Sequence, residues 1–186
     1  MTAAPNDSDE SIVARVTNGD TDAYGVLMHR YEDKLLRYVV YLIHDSATAH
    51  DVVQETFIKT YKNLHGYNPK HKFSSWIYRI AHNEAMNAIK KTKHLSDTDI
   101  TELPELSYEP KLAESLDKAL LAENVQGCIS ELEPKYREVI QLIYFERMKY
   151  DEASDVLHVP TSTIGVWLSR AKSRLKQICE QKGVQR

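Results

Sequence analysis

Apolar residues recur at steps of three and four through most of the chain, which is the spacing of amphipathic α-helices. The clearest case is Asp20–Ile43, where Leu27 and Leu35 fall on one predicted face. Asp20 or Thr21 is expected to cap this helix at its N-terminus. The same spacing predicts further helices over residues 8–17, 51–64, 74–91, 113–132, 134–148, 151–157 and 162–179.

Residues 93–115 interrupt this pattern. They lack clear periodicity and contain Pro104 and Pro110, which suit a linker better than a helix. The six glycines and six prolines of the whole chain are too few for a turn-rich β-sandwich or barrel. The chain is therefore predicted to be all-α, with one small helical domain over residues 1–92 and a second over residues 116–186.

Composition excludes several classes of protein. The chain has 186 residues, 42% of them hydrophobic, so it can form a core, but no apolar run approaches the ~20 residues of a membrane span. The start, MTAAPNDSDE, has neither the basic end nor the apolar stretch of a secretory signal. Cys128 and Cys179 could form a single disulfide bond, but two reduced thiols in a cytosol are the favoured alternative. We expect a soluble, cytoplasmic protein.

Charge is distributed unevenly about a net value of −3. Residues 92–127 carry three lysines and eight acidic residues, whereas cations concentrate in residues 70–93 and 164–186. Two basic segments joined by an acidic one indicate two contact sites for a polyanion. The alternative is that both basic segments are solvated helix faces.

Residues 150–176 have the parts of a helix-turn-helix: a short helix, a turn of about four residues and a longer basic helix. At about 100° per residue, Ile164, Leu168 and Ala171 lie on one face of the last helix. The opposite face is small, polar and cationic, and no acidic residue occurs over residues 162–177. Such a face suits the major groove of DNA, which is ~12 Å wide. A basic helix packed in an ordinary bundle is the alternative.

A second polar face is predicted on the helix over residues 74–91. It combines cations and amides, has Trp76 and Asn87 at its border, and adjoins a predicted loop, Gly66–Lys72. This combination suits contacts with a nucleic-acid backbone and stacking on an unpaired base. A solvated helix with Trp76 in the core is the alternative. The residues predicted to point outward are Ser75, Arg79, His82, Asn83, Met86, Lys90 and Lys93.

Five segments occur in a distinctive order: DAYGVLMHRYEDKLLRYV, AHDVVQETFIKTYKNL, FSSWIYRIAHNEAMNAIKK, the acidic linker, and LEPKYREVIQLIYFERMKYDEASDVLHVPTSTIGVWLSRAKSRLKQI. This order resembles that of a bacterial sigma factor of the sigma-70 family. The resemblance covers roughly residues 8–180. It is closest to the extracytoplasmic-function (ECF) class, which has only the second and fourth sigma domains.

The resemblance implies a transcription initiation factor that binds core RNA polymerase and directs it to promoter DNA. The positions that match the contact with the β′ clamp helices are Asp51, Gln54, Glu55, Ile58 and Lys62. The loop Gly66–Lys72 is expected to capture a flipped base of the minus-10 element. The residues implied in minus-10 binding are Asn68, Lys70, Lys72, Trp76, Arg79, Asn83, Asn87 and Lys90. Those implied in minus-35 binding are Thr161, Ser162, Gly165, Val166, Ser169, Arg170, Lys172, Ser173 and Lys176.

Further partners follow from the same resemblance. They are the β flap of the polymerase and an anti-sigma protein, which commonly holds factors of this class inactive. The linker is expected to run toward the RNA exit path, where its carboxylates mimic nucleic-acid charge. The resemblance implies no catalytic residue, metal, cofactor or membrane span. The linker carboxylates concerned are Asp97, Asp99, Glu102 and Glu105.

Three sites depart from the family pattern. His158 stands in the turn where the family often has Gly, and His is among the residues that tolerate a positive φ. Gly165, Val166 and Trp167 replace the usual basic residue, Ser and Arg, so different base contacts are expected, with Val166 touching a thymine methyl. Asn87 replaces an Asp, which removes a negative charge near the DNA.

Two other functions compete with this interpretation. A stand-alone helix-turn-helix regulator would bind palindromic half-sites tightly without polymerase. A helical enzyme with a metal is disfavoured because the pairs His44/His50 and His65/His71 are six residues apart, not the four of a helical ligand pair. The sequence also lacks a glycine-rich phosphate loop and a nucleophile–base pair.

Overall fold

A computed structural model describes residues 7–95 and 125–184 of the chain. Within these ranges every regular element is a helix, so the predicted all-α class is confirmed. Backbone contacts divide the chain into two compact units, of which the first contains residues 7–95 and the second most of residues 125–184. The predicted linker carboxylates and the first part of the helix predicted over residues 113–132 lie outside the described residues.

The N-terminal unit is built on four helices. The core lies between them, and its largest fully buried side chains include Tyr38, Phe73, Leu27, Leu35 and Ile77. Short 3₁₀ turns precede the second helix and follow the third. The helices are α1 (Asp9–Thr17), α2 (Tyr24–Ile43), α3 (Ser46–Lys62) and α4 (Phe73–Leu95).

The start of α2 differs from the prediction. Residues 21–23 form a 3₁₀ turn, so the α-helix begins at Tyr24 and no side chain caps it. The Asp20 carboxylate instead accepts a hydrogen bond from Arg15 at 2.5 Å. The predicted cap at Asp20 or Thr21 is therefore wrong, because an ion pair with α1 takes the carboxylate.

The start of α3 also differs. The helix begins at Ser46, well before the predicted Asp51. The Asp45 side chain caps it by accepting a hydrogen bond from the Thr48 amide at 2.8 Å. In this first turn only Ala49 is buried, so the apolar pattern gave no signal for it.

Polar contacts join the three long helices of the N-terminal unit. The Tyr24 hydroxyl of α2 donates to the Phe57 carbonyl of α3 at 2.8 Å. The Lys59 ammonium of α3 lies 2.6 Å from the Glu84 carboxylate of α4. Since α2, α3 and α4 pack on one another along their lengths, their outward faces are held in a fixed relation.

The C-terminal unit contains three further helices after a helical stretch over residues 125–130. The first begins at Pro134 as predicted, because its missing N–H costs nothing at a helix start. The α-helix predicted to run to Met148 ends at Ile140 and continues as a π-helical segment, Gln141–Phe145. The helices are α5 (Pro134–Ile140), α6 (Tyr150–Leu157) and α7 (Thr161–Gln181), and α5 packs on α7.

The turn between α6 and α7 has the conformation anticipated for His158. Its φ is +53°, in the left-handed region that glycine occupies most easily. The Ser154 hydroxyl donates to the Val159 carbonyl across this turn at 2.6 Å. Ala153 of α6 is fully buried, as expected of a residue at a close helix crossing.

Candidate nucleic-acid interface

The helix α7 separates a buried face from an exposed one as the sequence predicts. Ile164, Leu168 and Ala171 are buried. On the opposite side Val166 is 47% exposed, and Gly165 is half-buried beside the ring of Tyr150. The other predicted minus-35 residues, Thr161, Ser162, Ser169, Arg170, Lys172, Ser173 and Lys176, are all exposed.

One border of this exposed face is tied to the start of α5. Arg174 forms an ion pair with Glu133 at 3.2 Å, and its guanidinium carbon lies 5.6 Å from the centroid of the Tyr136 ring. Lys135 pairs with the same carboxylate at 2.9 Å. Lys135 and then Arg174 hold the pKa of Glu133 below its usual range.

The other border of the face is occupied by Lys172. Its ammonium lies 5.4 Å from the centroid of the Tyr144 ring, on the π-helical segment. The interaction with Tyr144 raises the pKa of Lys172, so the ammonium stays protonated. Sequence reasoning missed Tyr144, because the apolar period placed it on the predicted buried face.

In the N-terminal unit, the loop after α3 is ordered by its own turn. The Asn68 side chain accepts a hydrogen bond from the Lys70 amide at 3.1 Å, and the Asn68 carbonyl accepts one from the His71 amide at 3.1 Å. The Tyr67 hydroxyl donates to the His71 carbonyl. Asn68, Lys70 and Lys72 are exposed.

An aromatic cluster lies at the base of this loop. The Tyr67 ring is 5.3 Å from Trp76 and 5.8 Å from Phe73, centroid to centroid. Trp76 is half-buried, at the edge of the core and not inside it. Burial raises the pKa of Tyr67 to about 12. Sequence reasoning did not single out Tyr67, whose position in an apparent loop gave no periodicity signal.

The predicted outward face of α4 is partly correct. Asn83, Asn87 and Lys90 are exposed and Arg79 is half-buried.

Two other members of that predicted face point inward, and their placement was wrong. Ser75 is only 1% exposed, and its hydroxyl donates to the Lys72 carbonyl at 3.2 Å. His82 lies 3.1 Å from the Tyr38 hydroxyl through Nδ1. Burial lowers the pKa of His82 to about 4, so at neutral pH it is an uncharged packing residue.

A third exposed surface lies where α2 and α3 meet. All five residues predicted to bind polymerase, Asp51, Gln54, Glu55, Ile58 and Lys62, are exposed along α3.

Three of these residues, Gln54, Ile58 and Lys62, line a groove of about 340 Å³ together with Met28 and Tyr61. Met28 and Tyr61 are 40% and 43% exposed, and sequence reasoning did not assign either to this surface. We name this feature the α2–α3 groove. It is an apolar surface with a polar rim, which is typical of a protein contact.

The described residues hold neither a membrane-spanning helix nor a cluster of metal ligands. Among the described helices, none is long and apolar enough to cross a membrane. In residues 7–95 and 125–184, no group of three His, Cys, Asp or Glu side chains is arranged to hold a metal ion. Cys128 and Cys179 are both free thiols.

Comparison with known families accounts for both units. Residues 27–94 match the Sigma-70 region 2 family and residues 122–175 match the Sigma-70, region 4 family. The RNA polymerase sigma-H factor of Pseudomonas aeruginosa is 31% identical, over 91% of this chain and 92% of its own length. The chain is a sigma factor of the sigma-70 family.

Other relatives place this sigma factor in the ECF class. The ECF RNA polymerase sigma factor SigW of Bacillus subtilis is 29% identical, over 89% of this chain and 93% of its own. A solved structure, that of the sigma factor RpoE in complex with the anti-sigma factor NepR from Bartonella quintana, shares the fold. Its TM-score is 0.68 at 22% identity, over 82% of this chain and 94% of that one.

The family membership decides between the functions that the sequence left open. A sigma factor serves promoter-directed transcription initiation, and its regions 2 and 4 occur here in the expected order. A stand-alone helix-turn-helix regulator is not favoured, because region 2 and the full-length relatives would then have no explanation.

Proposed function

We propose that this sigma factor binds core RNA polymerase through α3 and reads promoter DNA through α4, the loop over residues 67–72 and α7. The observation that carries the proposal is the pair of exposed polar, cationic faces on two separate units. Each unit matches the sigma region whose task requires such a face. The protein makes and breaks no covalent bond, so it acts as a non-enzymatic subunit. It works in the cytoplasm.

In the minus-35 element, α7 enters the major groove with its N-terminal half. Ser162, Gly165 and Val166 are small enough to approach base edges, and the exposed Val166 methyl groups suit a thymine methyl. Arg170 and Lys176, further along the helix, supply cations for the flanking phosphates. The sequence preference differs from that of family members with cationic side chains at positions 165 and 167.

In the minus-10 element, one base leaves the stack and enters the loop over residues 67–72. Trp76 and Tyr67 offer a stacking surface at the base of this loop. The exposed Lys70 and Lys72 supply cations for the phosphates. Unstacking costs a few kcal/mol, which these contacts offset. Asn83, Asn87 and Lys90 continue the contact along the strands.

The polymerase contact uses the outward stripe of α3. Ile58 supplies apolar area that the contact buries at its centre, and Gln54 and Lys62 supply the polar rim. The partner is the pair of β′ clamp helices, and the C-terminal unit docks on the β flap. An anti-sigma protein that covers either surface would keep the factor inactive, and the solved structure of RpoE is a complex with an anti-sigma factor, NepR.

Polymerase binding makes the two DNA contacts act together. The free chain has a net charge of −3 and an acidic middle segment, so its affinity for DNA is expected to be low. Once polymerase holds the two units at a fixed spacing, binding of one element raises the effective concentration of the other unit at its own element. Two weak contacts then behave as a strong one.

The test is transcription in vitro from genomic DNA by purified core polymerase, with and without the protein, followed by sequencing of RNA 5′ ends. We expect new start sites that appear only with the protein and share two upstream elements at a constant spacing. Start sites unchanged by the protein would contradict the proposal. A regulator that acts without polymerase would bind its sites equally well when core enzyme is omitted.

A further inference from the structure

Tyr144 is a large side chain that the core does not use. It is 52% exposed on the π-helical segment, although the apolar residues before it, Ile140 and Leu142, are buried. Its ring centroid lies 5.4 Å from the ammonium of Lys172 on α7. The pair therefore links a surface aromatic residue to the helix that reads DNA.

The contact restricts the Lys172 side chain. A free lysine samples many rotamers, and fixing one costs up to ~2 kcal/mol of conformational entropy. A ring whose centroid lies 5.4 Å from the ammonium restricts the side chain before any ligand binds. Only Tyr144 and Tyr150 raise the pKa of Lys172, so no described carboxylate neutralises this cation.

The two borders of α7 thus differ in chemistry. Arg174 on one border is compensated by Glu133 and directed to its own unit. Lys172 on the other border keeps its charge, and it lies about 100° around the helix from the central Ser173. When a helix occupies the major groove, residues at its border face the phosphates that line the groove, not the base edges.

We propose that Tyr144 and Lys172 together bind one phosphate of the minus-35 DNA. The ammonium has three donors, and the tyrosine hydroxyl has one of its own. Both groups therefore have donors for the same anionic oxygens. Tyr144 also acts as a positioning residue for Lys172. The inference rests on the proposed function, since it requires α7 to lie in the groove.

The test measures the affinity of the holoenzyme for promoter DNA at several salt concentrations, with Tyr144→Phe, Lys172→Ala and the double variant. Lys172→Ala is expected to lower the slope of log K against log salt by about 0.9, the value for one phosphate contact. Tyr144→Phe keeps the ring and loses the hydroxyl, and is expected to weaken binding about fivefold. The double variant should bind more tightly than the product of the two single effects predicts, because both groups contact the same phosphate.

Arg174→Ala is the matched control, since it removes a cation from the opposite border that Glu133 already neutralises. Its affinity and salt slope should equal those of the wild type. The inference is overturned if Tyr144→Phe binds like the wild type, or if the two substitutions act independently. It is also overturned if they weaken binding to polymerase and not to DNA, because the surface then contacts protein. Failure of the wild-type holoenzyme to bind promoters would instead refute the proposed function itself.

Discussion

Arg174 of α7 lies 3.2 Å from the carboxylate of Glu133, which precedes α5. Arg170, one turn earlier on the same helix, is exposed and forms no ion pair with the described residues. Two arginines four residues apart are therefore in different electrostatic states. One serves the packing of its own unit, and the other remains available for an anion.

This difference gives a matched pair of variants. Arg170→Ala is expected to reduce promoter affinity by about tenfold or more, because a hydrogen bond to a charged phosphate worth ~1.5–3 kcal/mol is lost. Arg174→Ala should change promoter affinity less than twofold and lower the free energy of unfolding by no more than ~1 kcal/mol, as an exposed ion pair does. Filter binding with the holoenzyme and urea unfolding measure the two effects.

Binding of polymerase by Arg170→Ala is the control for that experiment. It should be unchanged, because Arg170 belongs to α7 of the C-terminal unit, whereas the proposed contact with the β′ clamp helices is on α3 of the N-terminal unit. Loss of both activities in this variant would contradict the division of tasks between them.

The α2–α3 groove predicts the effect of surface substitutions on polymerase binding. Gln54→Ala combined with Ile58→Ala should raise the Kd for core polymerase by at least tenfold, since central interface contacts commonly contribute ~2 kcal/mol or more. Met28→Ala should weaken binding in the same direction, because Met28 lines the same groove. Fluorescence titration of labelled protein with core enzyme gives the constants.

The control for the groove is Asp33→Ala, an exposed position on the opposite side of α2. Its affinity for polymerase should match the wild type. An unchanged affinity in the Gln54→Ala, Ile58→Ala variant would place the polymerase contact elsewhere on the surface.

The turn before α7 predicts a stabilising substitution. The left-handed conformation of His158 costs a non-glycine residue ~1–2 kcal/mol, whereas glycine loses ~0.5–1 kcal/mol more entropy on folding. His158→Gly is therefore expected to raise the free energy of unfolding by about 0.5–1 kcal/mol in urea titrations. His158→Ala keeps the strained Cβ and should give no increase, and equal stability of the two variants would argue against strain at this turn.

The buried imidazole of His82 predicts a dependence of stability on pH. Its pKa is about 4 in the folded chain, against an ordinary value of 6.5. Between these values the unfolded chain binds more protons, so the free energy of unfolding is highest above pH 6.5 and falls as the pH drops toward 4. Relative to His82→Gln, the wild type should lose about 2 kcal/mol between pH 7.5 and pH 5. Parallel curves for both proteins would mean that the pKa of His82 is the same in the folded and the unfolded chain, and would contradict this prediction.

The sequence predicted those parts of the fold that depend on apolar spacing. The buried face of α7, with Ile164 and Leu168, and the start of α5 at Pro134 are as expected. The ends of helices were less predictable, since they depend on polar contacts. The Asp45 cap and the Arg15–Asp20 ion pair leave no periodic signal.

The candidate sites show the same limit. Exposed residues on one helix, such as Gln54 and Ile58, could be grouped by spacing alone. Residues contributed by a second helix could not, and Met28 was missed for this reason. His82 was misplaced because a polar residue on a predicted outward face gives no indication of the Tyr38 hydroxyl that it meets in the folded chain.

The central claim is that polymerase makes this protein a promoter reader by fixing the distance between its two units. The most direct test compares RNA yield from a promoter found by 5′-end sequencing with yield from the same promoter carrying five extra base pairs between its two elements. The insertion rotates one element by about half a helical turn of 10–10.5 base pairs. The account predicts that transcription from this promoter falls to near background, and undiminished transcription would contradict it.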